Sequence, residues 1–250
     1  MKPDVRVYPD LEALSRGAAE LVIDAAKTCV RRKGFFTLVL SGGATPKRLY
    51  TLLGEEYRDQ MPWHSTHIFW GDERNTPQTS LESNYRMAYE TLISKAPIPV
   101  ENIHSVPTTP GNPESAAQAY EKIIGDFFQT KSVDAGGASF DFVLLGLGSD
   151  GHTASLFPGD PILDEKSRWV CAVHAPPTYQ TRERITLTLP AINSADQAVF
   201  MVSGSGKKEI VKTILNDPAR VRKKLPAAMI QPKEELKWLL DTIAAEELKK

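Results

Sequence analysis

The chain has 250 residues, 41% of them hydrophobic and 24% charged, with 30 Lys and Arg against 31 Asp and Glu for a net charge of −1. That apolar mass excludes a disordered chain, and the length fits one large α/β domain or two small ones. Near-neutrality excludes a general electrostatic pull towards nucleic acid or an acidic membrane, so an anionic partner must be held by a local cluster of donors.

In chain order, Val5 to Tyr8 alternates like a short strand, and Asp10 can cap a helix over residues 11–32, whose Leu11, Leu14, Ala18, Leu21, Val22, Ala25 and Ala26 form an apolar stripe. Gly34 lies just past that helix. Phe35 to Leu40 is an apolar run of strand length that ends at Ser41-Gly42-Gly43, and Pro46 suits the first turn of a following helix. Ile68-Phe69-Trp70 reads as a strand running into Gly71-Asp72-Glu73-Arg74, and residues 82–95 and 114–129 read as helices. Phe140 to Leu145 is a buried strand before Gly146-Leu147-Gly148-Ser149-Asp150-Gly151-His152. Arg168 to His174 and Arg184 to Leu189 are further strands. Ala198 to Val202 is the last buried strand, with Ser203-Gly204-Ser205-Gly206 and a helix over 207–215 behind it; Glu234 to Lys250 reads as an amphipathic helix.

Strands alternating with helices predict an α/β fold, a doubly wound, mostly parallel, Rossmann-like sheet with helices on both faces. Lys131 to Ser139 reads as a surface loop rather than a linker, so residues 1–250 are expected to form a single domain. The two cysteines, Cys29 and Cys171, exclude a disulfide scaffold and a multi-cysteine zinc site, and buried free thiols are expected. No apolar run reaches the ~18 residues of a membrane helix. Met1-Lys2-Pro3-Asp4 lacks the apolar core of a secretory signal, so a cytoplasmic location is expected. Nothing demands more than a monomer.

Ligands of such sheets bind outside the carboxyl ends of the strands. Four polar, glycine-rich segments fall there: 41–45, 71–75, 146–152 and 203–207. In the first, Ser41, Gly42, Gly43 and Thr45 offer hydroxyls and backbone N–H groups suited to a phosphate, although an ordinary strand-to-helix turn has the same composition. In the last, Lys207 and Lys208 stand at a helix start, where cations are disfavoured unless an anion is present. This is no P-loop, because Met201 and Lys208 occupy positions that need Gly and Ser or Thr. Gly146, Gly148 and Gly151 match G-x-G-x-x-G, but Pro158-Gly159 interrupts the long helix a dinucleotide site requires. The same loop carries Asp150 and His152, a carboxylate beside the general base available near neutral pH. Asp72 and Glu73 are candidate acid–base groups, and Arg74 a candidate partner for a phosphate or an oxyanion, against a solvated charged turn. His64 and His67 straddle a strand start with no further ligand in reach, and no metal is expected. There is no G-x-S-x-G nucleophile elbow.

Four segments, in order, together resemble the 6-phosphogluconolactonase family: Leu40 to Pro46; Trp70 to Arg74 with Ser83-Asn84-Tyr85; the long Gly146 to Gly159; and Arg184 to Thr188. Ala44 departs from the serine more usual in that family, which removes a hydroxyl and leaves the backbone donors. The family shares a superfamily with the glucosamine-6-phosphate isomerases/deaminases, whose third motif continues to Asn-Glu-Pro; here Leu156-Phe157-Pro158 stands instead, so Phe157 occupies the place of the ring-opening carboxylate.

The resemblance implies hydrolysis of 6-phospho-D-glucono-1,5-lactone to 6-phosphogluconate in the oxidative pentose phosphate pathway, with no cofactor. On that reading His152 is the general base for an attacking water and Asp150 holds its imidazole. Arg74 serves the oxyanion or the phosphate, and Asp72 organises the site near the sugar hydroxyls. Ser41, Gly42, Gly43, Thr45, Arg184 and Lys207 take the phosphate, with Asn84 and Arg182 as further contacts. The alternatives are a phosphosugar isomerase or deaminase and a non-catalytic sugar-phosphate sensor.

Overall fold

The computed structural model describes residues 3–131, 139–221 and 224–248. Two sheets organise these residues. The larger has six parallel strands, β1 (Asp4–Tyr8), β2 (Phe36–Leu40), β3 (Thr66–Trp70), β5 (Phe142–Leu145), β8 (Gln197–Val202) and β9 (Glu235–Asp241), in the spatial order β1-β9-β8-β5-β2-β3. The smaller is antiparallel, with β4 (Asp72–Arg74), β6 (Val170–His174) and β7 (Glu183–Leu187) ordered β4-β7-β6. Every residue of β2, β3 and β5 is buried, which is why these strands read as unbroken apolar runs rather than alternations.

Seven α-helices accompany them among the described residues: α1 (Leu11–Lys33), α2 (Pro46–Gly54), α3 (Asn84–Ala88), α4 (Pro113–Thr130), α5 (Leu189–Asn193), α6 (Lys208–Asn216) and α7 (Pro218–Val221). The side chain of Asp10 accepts the Ala13 N–H at 2.8 Å and starts α1, and Gly34, at φ 85°, ends it. Leu14, Ala18, Val22 and Ala26 of that helix are buried. The helix expected over 82–95 is α3 running into a π turn at Tyr89–Ile93.

From β2 the chain crosses through α2 to β3 on one side, whereas from β5 it proceeds to β8 and β9 on the other. The direction of winding therefore reverses between β2 and β5, and right-handed crossovers in opposite directions put their connections on opposite faces. The carboxyl ends of β2 and β5 diverge at this switch point, where a crevice opens.

Three expectations are corrected. The stretch 234–250 does not form an amphipathic helix: Glu235–Asp241 is β9, inserted between β1 and β8, with Trp238, Leu239 and Leu240 buried. A short apolar run satisfies both periods, and the unfilled gap in the sheet decides for the strand. The charged turn after β3 is itself the strand β4. The strands expected at 168–174 and 184–189 pair with each other and with β4, outside the parallel sheet. The Lys131–Ser139 loop lies largely outside the described residues.

Gly71 joins the two sheets. Its N–H donates to the Leu40 carbonyl at 2.9 Å, and its carbonyl accepts the Leu187 N–H at 2.8 Å. The small sheet thus grows from the end of β3 beside the switch point. One apolar cluster runs through both sheets, including Leu40, Trp70, Leu145, Ile185, Leu187 and Trp238. Among the described residues no helix is long and apolar enough to cross a membrane.

Candidate active site

A cleft of about 410 Å³ opens at the switch point. The first loop (41–45), Asp72 and Arg74 of β4, Asn84, the 146–148 turn, His152, and Ser203 with Lys207 line it. Three of the four glycine-rich segments are therefore brought together at the carboxyl ends of β2, β5 and β8, and the fourth closes over them as β4.

His152 and Asp150 form a pair. The imidazole Nδ1 lies 2.6 Å from Asp150 Oδ1, and the same oxygen accepts the His152 backbone N–H at 3.1 Å. Burial works to raise the Asp150 carboxyl, but those hydrogen bonds and the imidazole's charge outweigh it and hold the group below its ordinary value. An ionised carboxylate only accepts, so Nδ1 carries the proton that faces Asp150 and Nε2 is the ring nitrogen left to exchange one. The turn beneath needs Gly148: a Cβ there would stand 2.0 Å from His152 Nδ1 and 2.5 Å from Asp150 Oδ1. The glycine pattern of this loop thus makes room for the pair, a different use from receiving a pyrophosphate.

The two neighbouring carboxylates have separate duties. Asp72, 8% exposed, reaches the cleft, with Oδ2 accepting the Ser155 hydroxyl at 2.7 Å and the Asn84 amide 3.4 Å from Oδ1. Glu73 is buried and structural rather than a candidate acid or base. It accepts backbone N–H groups from Arg74, Asn84 and Tyr85 at 2.7–2.8 Å and the Ser83 hydroxyl at 3.1 Å, so it caps the start of α3. Burial pushes its carboxyl up, against those hydrogen bonds. Asn84 is held in turn by the Asp72 carbonyl at 2.9 Å and presses on the first loop, where a Cβ on Gly42 would meet its Oδ1 at 2.2 Å.

The cations stand at different depths. Arg74 lines the cleft and donates through Nη1 to the Glu82 carbonyl at 2.6 Å; its Nε is buried with no hydrogen-bond partner among the described residues. Arg184 faces Arg74 across the β4–β7 register and is only 5% exposed. Burial first, and then the Arg74 charge, lower its guanidinium's hold on its proton. Lys207 ends a single 3₁₀ turn, Ser205–Lys207, one residue before the helix expected to begin there. Burial lowers its ammonium, and the charge of Asp150 partly restores it. Lys208 turns away to Glu246, at 3.3 Å. Arg182 is exposed, donates to the Ala175 carbonyl at 3.2 Å, and is not among the residues lining the cleft. His64 and His67 are apart: His67 Nδ1 faces His104 Nε2 at 3.2 Å in an aromatic cluster. Among the described residues no group of three or more His, Cys, Asp or Glu is placed to hold a metal. Cys29 and Cys171 are buried and free.

Three further residues complete the site. Asp241, at the end of β9, accepts the Ser203 hydroxyl at 2.5 Å and the Gly204 N–H at 3.0 Å, anchoring the loop that presents Lys207. Ser155 braces Asp72. Phe157 lies 4.9 Å from the His152 ring, centroid to centroid. Ser155 and Phe157 both lie in the long third segment, where the sequence already marked Phe157; Asp241 carried no signal in the sequence.

A family model described as "Glucosamine-6-phosphate isomerases/6-phosphogluconolactonase" matches residues 9–238. The chain is 40% identical to a 6-phosphogluconolactonase of Synechocystis over 100% of both chains, and 38% identical to one of Nostoc over 99% of both. It superposes on a solved 6-phosphogluconolactonase from Trypanosoma cruzi with a TM-score of 0.85 at 31% identity, covering 100% of this chain and 98% of that one. On the match to its family model and to these full-length relatives, the chain belongs to the glucosamine-6-phosphate isomerase/6-phosphogluconolactonase family.

Proposed function

We propose that this chain is a 6-phosphogluconolactonase: it hydrolyses 6-phospho-D-glucono-1,5-lactone to 6-phospho-D-gluconate, a step of the oxidative pentose phosphate pathway. The observation that carries the reading is the Asp150–His152 pair, with Nδ1 engaged by the carboxylate, at a cleft that His152 lines together with Arg74 and Lys207. The names of the close relatives point the same way.

A lactone is an activated ester, so a water molecule suffices as nucleophile once a base takes its proton. His152 Nε2 takes that proton as the water oxygen bonds to C1. The carbonyl π electrons move onto the oxygen, and Arg74 stabilises the resulting oxyanion with donors fixed in advance by the Glu82 carbonyl. As the C1–ring-oxygen bond breaks, the imidazolium returns the proton to the ring oxygen, and the new carboxylic acid releases its own to solvent. Asp150 fixes the tautomer and stabilises the imidazolium. Asp72, braced by Ser155 and Asn84, accepts hydrogen bonds from sugar hydroxyls.

The phosphate sits against Ser41, Gly42, Gly43, Thr45 and Lys207. Arg184 adds its charge from behind Arg74, and Asn84 keeps the first loop in place. A buried Arg184 guanidinium beside Arg74, whose Nε has no partner among the described residues, is costly alone and favourable beside an anion. Phe157 brings no carboxylate to His152, which favours the lactonase over a phosphosugar isomerase. All these groups come from one chain, so the site is complete in a monomer, and residues 1–250 form one catalytic domain around the shared core. Two thiols kept buried and free suit the cytoplasm.

The test is hydrolysis of freshly made lactone, measured above its spontaneous rate. His152→Ala is expected to lower kcat by roughly 10²–10⁴-fold, and wild-type turnover in that variant would remove the general-base assignment. Lys207→Ala and Arg184→Ala are expected to raise KM for the phosphorylated lactone, and an unchanged KM in both refutes the phosphate map.

A further inference from the structure

Tyr179 is the aromatic side chain that meets His152 from outside its own loop. It stands on the hairpin loop between β6 and β7. The Ala175 N–H closes the base of that loop on the Arg182 carbonyl at 2.8 Å, and the Thr181 hydroxyl fastens it to the Glu82 carboxylate. The same Glu82 holds Arg74 through its carbonyl. The Tyr179 ring meets the imidazole edge to face, with centroids 5.9 Å apart and planes at 83°, and touches Phe157 at 5.5 Å. The Arg184 guanidinium lies 5.6 Å from the Tyr179 centroid. One ring thus touches the base of the large sheet and the buried cation of the small one.

The hydroxyl is not the working part. Its oxygen is 3.5 Å from His152 Nδ1, too far for a strong bond, and that nitrogen is already engaged by Asp150 at 2.6 Å. What remains is the ring. Phe157, Asp150 and Tyr179 each contact the imidazole, whose side chain is still 20% exposed. Edge-to-face contacts of this kind are orienting as well as attractive. We propose that Tyr179 is a positioning residue: its ring holds His152 in the orientation that faces Asp150 and seats Arg184 in the same act, so the hairpin between β6 and β7 completes the base. This rests on the reading of His152 as the base. The charged groups around the contact are Asp150, Arg74, Arg184 and Lys207.

The experiment compares full-length Tyr179→Phe and Tyr179→Ala with wild type. It measures kcat and KM on the lactone across neutral pH, and the tautomer of His152 by ¹⁵N NMR of the free enzyme. Tyr179→Ala is expected to lose about 10–100-fold in kcat, as small displacements of a catalytic group do, with a smaller rise in KM, a changed pH profile and a reduced share of the Nδ1–H tautomer. Tyr179→Phe, which restores the ring alone, is expected to recover the wild-type profile and tautomer. Wild-type kcat and tautomer in Tyr179→Ala overturn the proposal. Equal damage in both variants also overturns it, since the hydroxyl would then be the acting group. The NMR signal needs no turnover. Failure of the base assignment therefore appears as activity retained in His152→Ala, separately from the orientation of the ring.

Discussion

Replacing Gly148 with alanine tests the site at its tightest point. A Cβ at this position stands 2.0 Å from His152 Nδ1, 2.3 Å from its Cε1 and 2.5 Å from Asp150 Oδ1. Ordinary contact between a methyl carbon and a ring nitrogen needs about 3.5 Å, so the imidazole must retreat by roughly 1.5 Å. The Gly148 backbone is not in the left-handed region, so alanine adds little backbone strain. The clashing atoms belong to side chains rather than backbone, so the methyl displaces the pair against Phe157 and Tyr179 and leaves the fold intact. Swinging out breaks the 2.6 Å contact between His152 and Asp150. A displacement of that size costs about 10²-fold in rate, equivalent to ~2.7 kcal/mol of barrier. The expected result is a kcat about a hundredfold lower with a melting temperature within a few degrees of wild type. A pH-stat follows it, titrating the acid released from the lactone above background. Wild-type kcat in Gly148→Ala, with the Nδ1–H tautomer of His152 preserved, would refute the reasoning.

Three further outcomes follow from the same geometry. Glu73→Ala strips the acceptor from three backbone N–H groups, buried or part-buried, and the Ser83 hydroxyl, and denaturant unfolding should show a loss on the order of 3 kcal/mol; stability equal to wild type would refute the capping role. Lys207, lowered by burial, should give up its proton below the pH at which an exposed lysine does. Affinity for 6-phosphogluconate, measured by calorimetry, should therefore fall on the alkaline side earlier than such a lysine predicts, and Lys207→Met should flatten that dependence. His67 and His104 are both pushed down to about 4, first by burial and then by the Lys131 charge. The unfolded chain takes up protons on them below about 6.5 while the native state stays neutral. Stability should therefore fall as pH drops from about 6.5 towards 4, by at most ~3 kcal/mol per histidine. A flat profile across that window, or one unchanged in the His67→Phe/His104→Phe double variant, would contradict this origin.

Much of the architecture was legible because its signals are local. Buried parallel strands announce themselves as apolar runs bounded by glycine, as at Phe36–Leu40 and Phe142–Leu145, and helix starts by capping side chains such as Asp10. The third glycine loop was legible as well: Asp150 and His152 lie two residues apart, and their pairing needs only the turn that Gly148 permits. The sequence also excluded a dinucleotide helix, by Pro158-Gly159, and supplied the family resemblance through four ordered segments.

Tertiary structure decided what depends on distant partners. Glu235–Asp241 satisfies a helical and an extended pattern alike, and becomes a strand because β1 and β8 both need a neighbour. Asp72 and Glu73 are adjacent in sequence and equal in chemistry. The alternation of β4 sends one to the cleft and the other to the start of α3. The same register puts Arg184 behind Arg74, and the β6–β7 hairpin brings Tyr179 onto His152. The sequence by itself determined the strand ends, the loop chemistry and the His–Asp pair, each written in a few consecutive residues. Which carboxylate and arginine line the cleft, and which aromatic ring meets His152, was set by strand pairing over more than a hundred residues of chain, as with Asp72 opposite Thr186, because a side chain's neighbours across a sheet are fixed by register and not by sequence proximity.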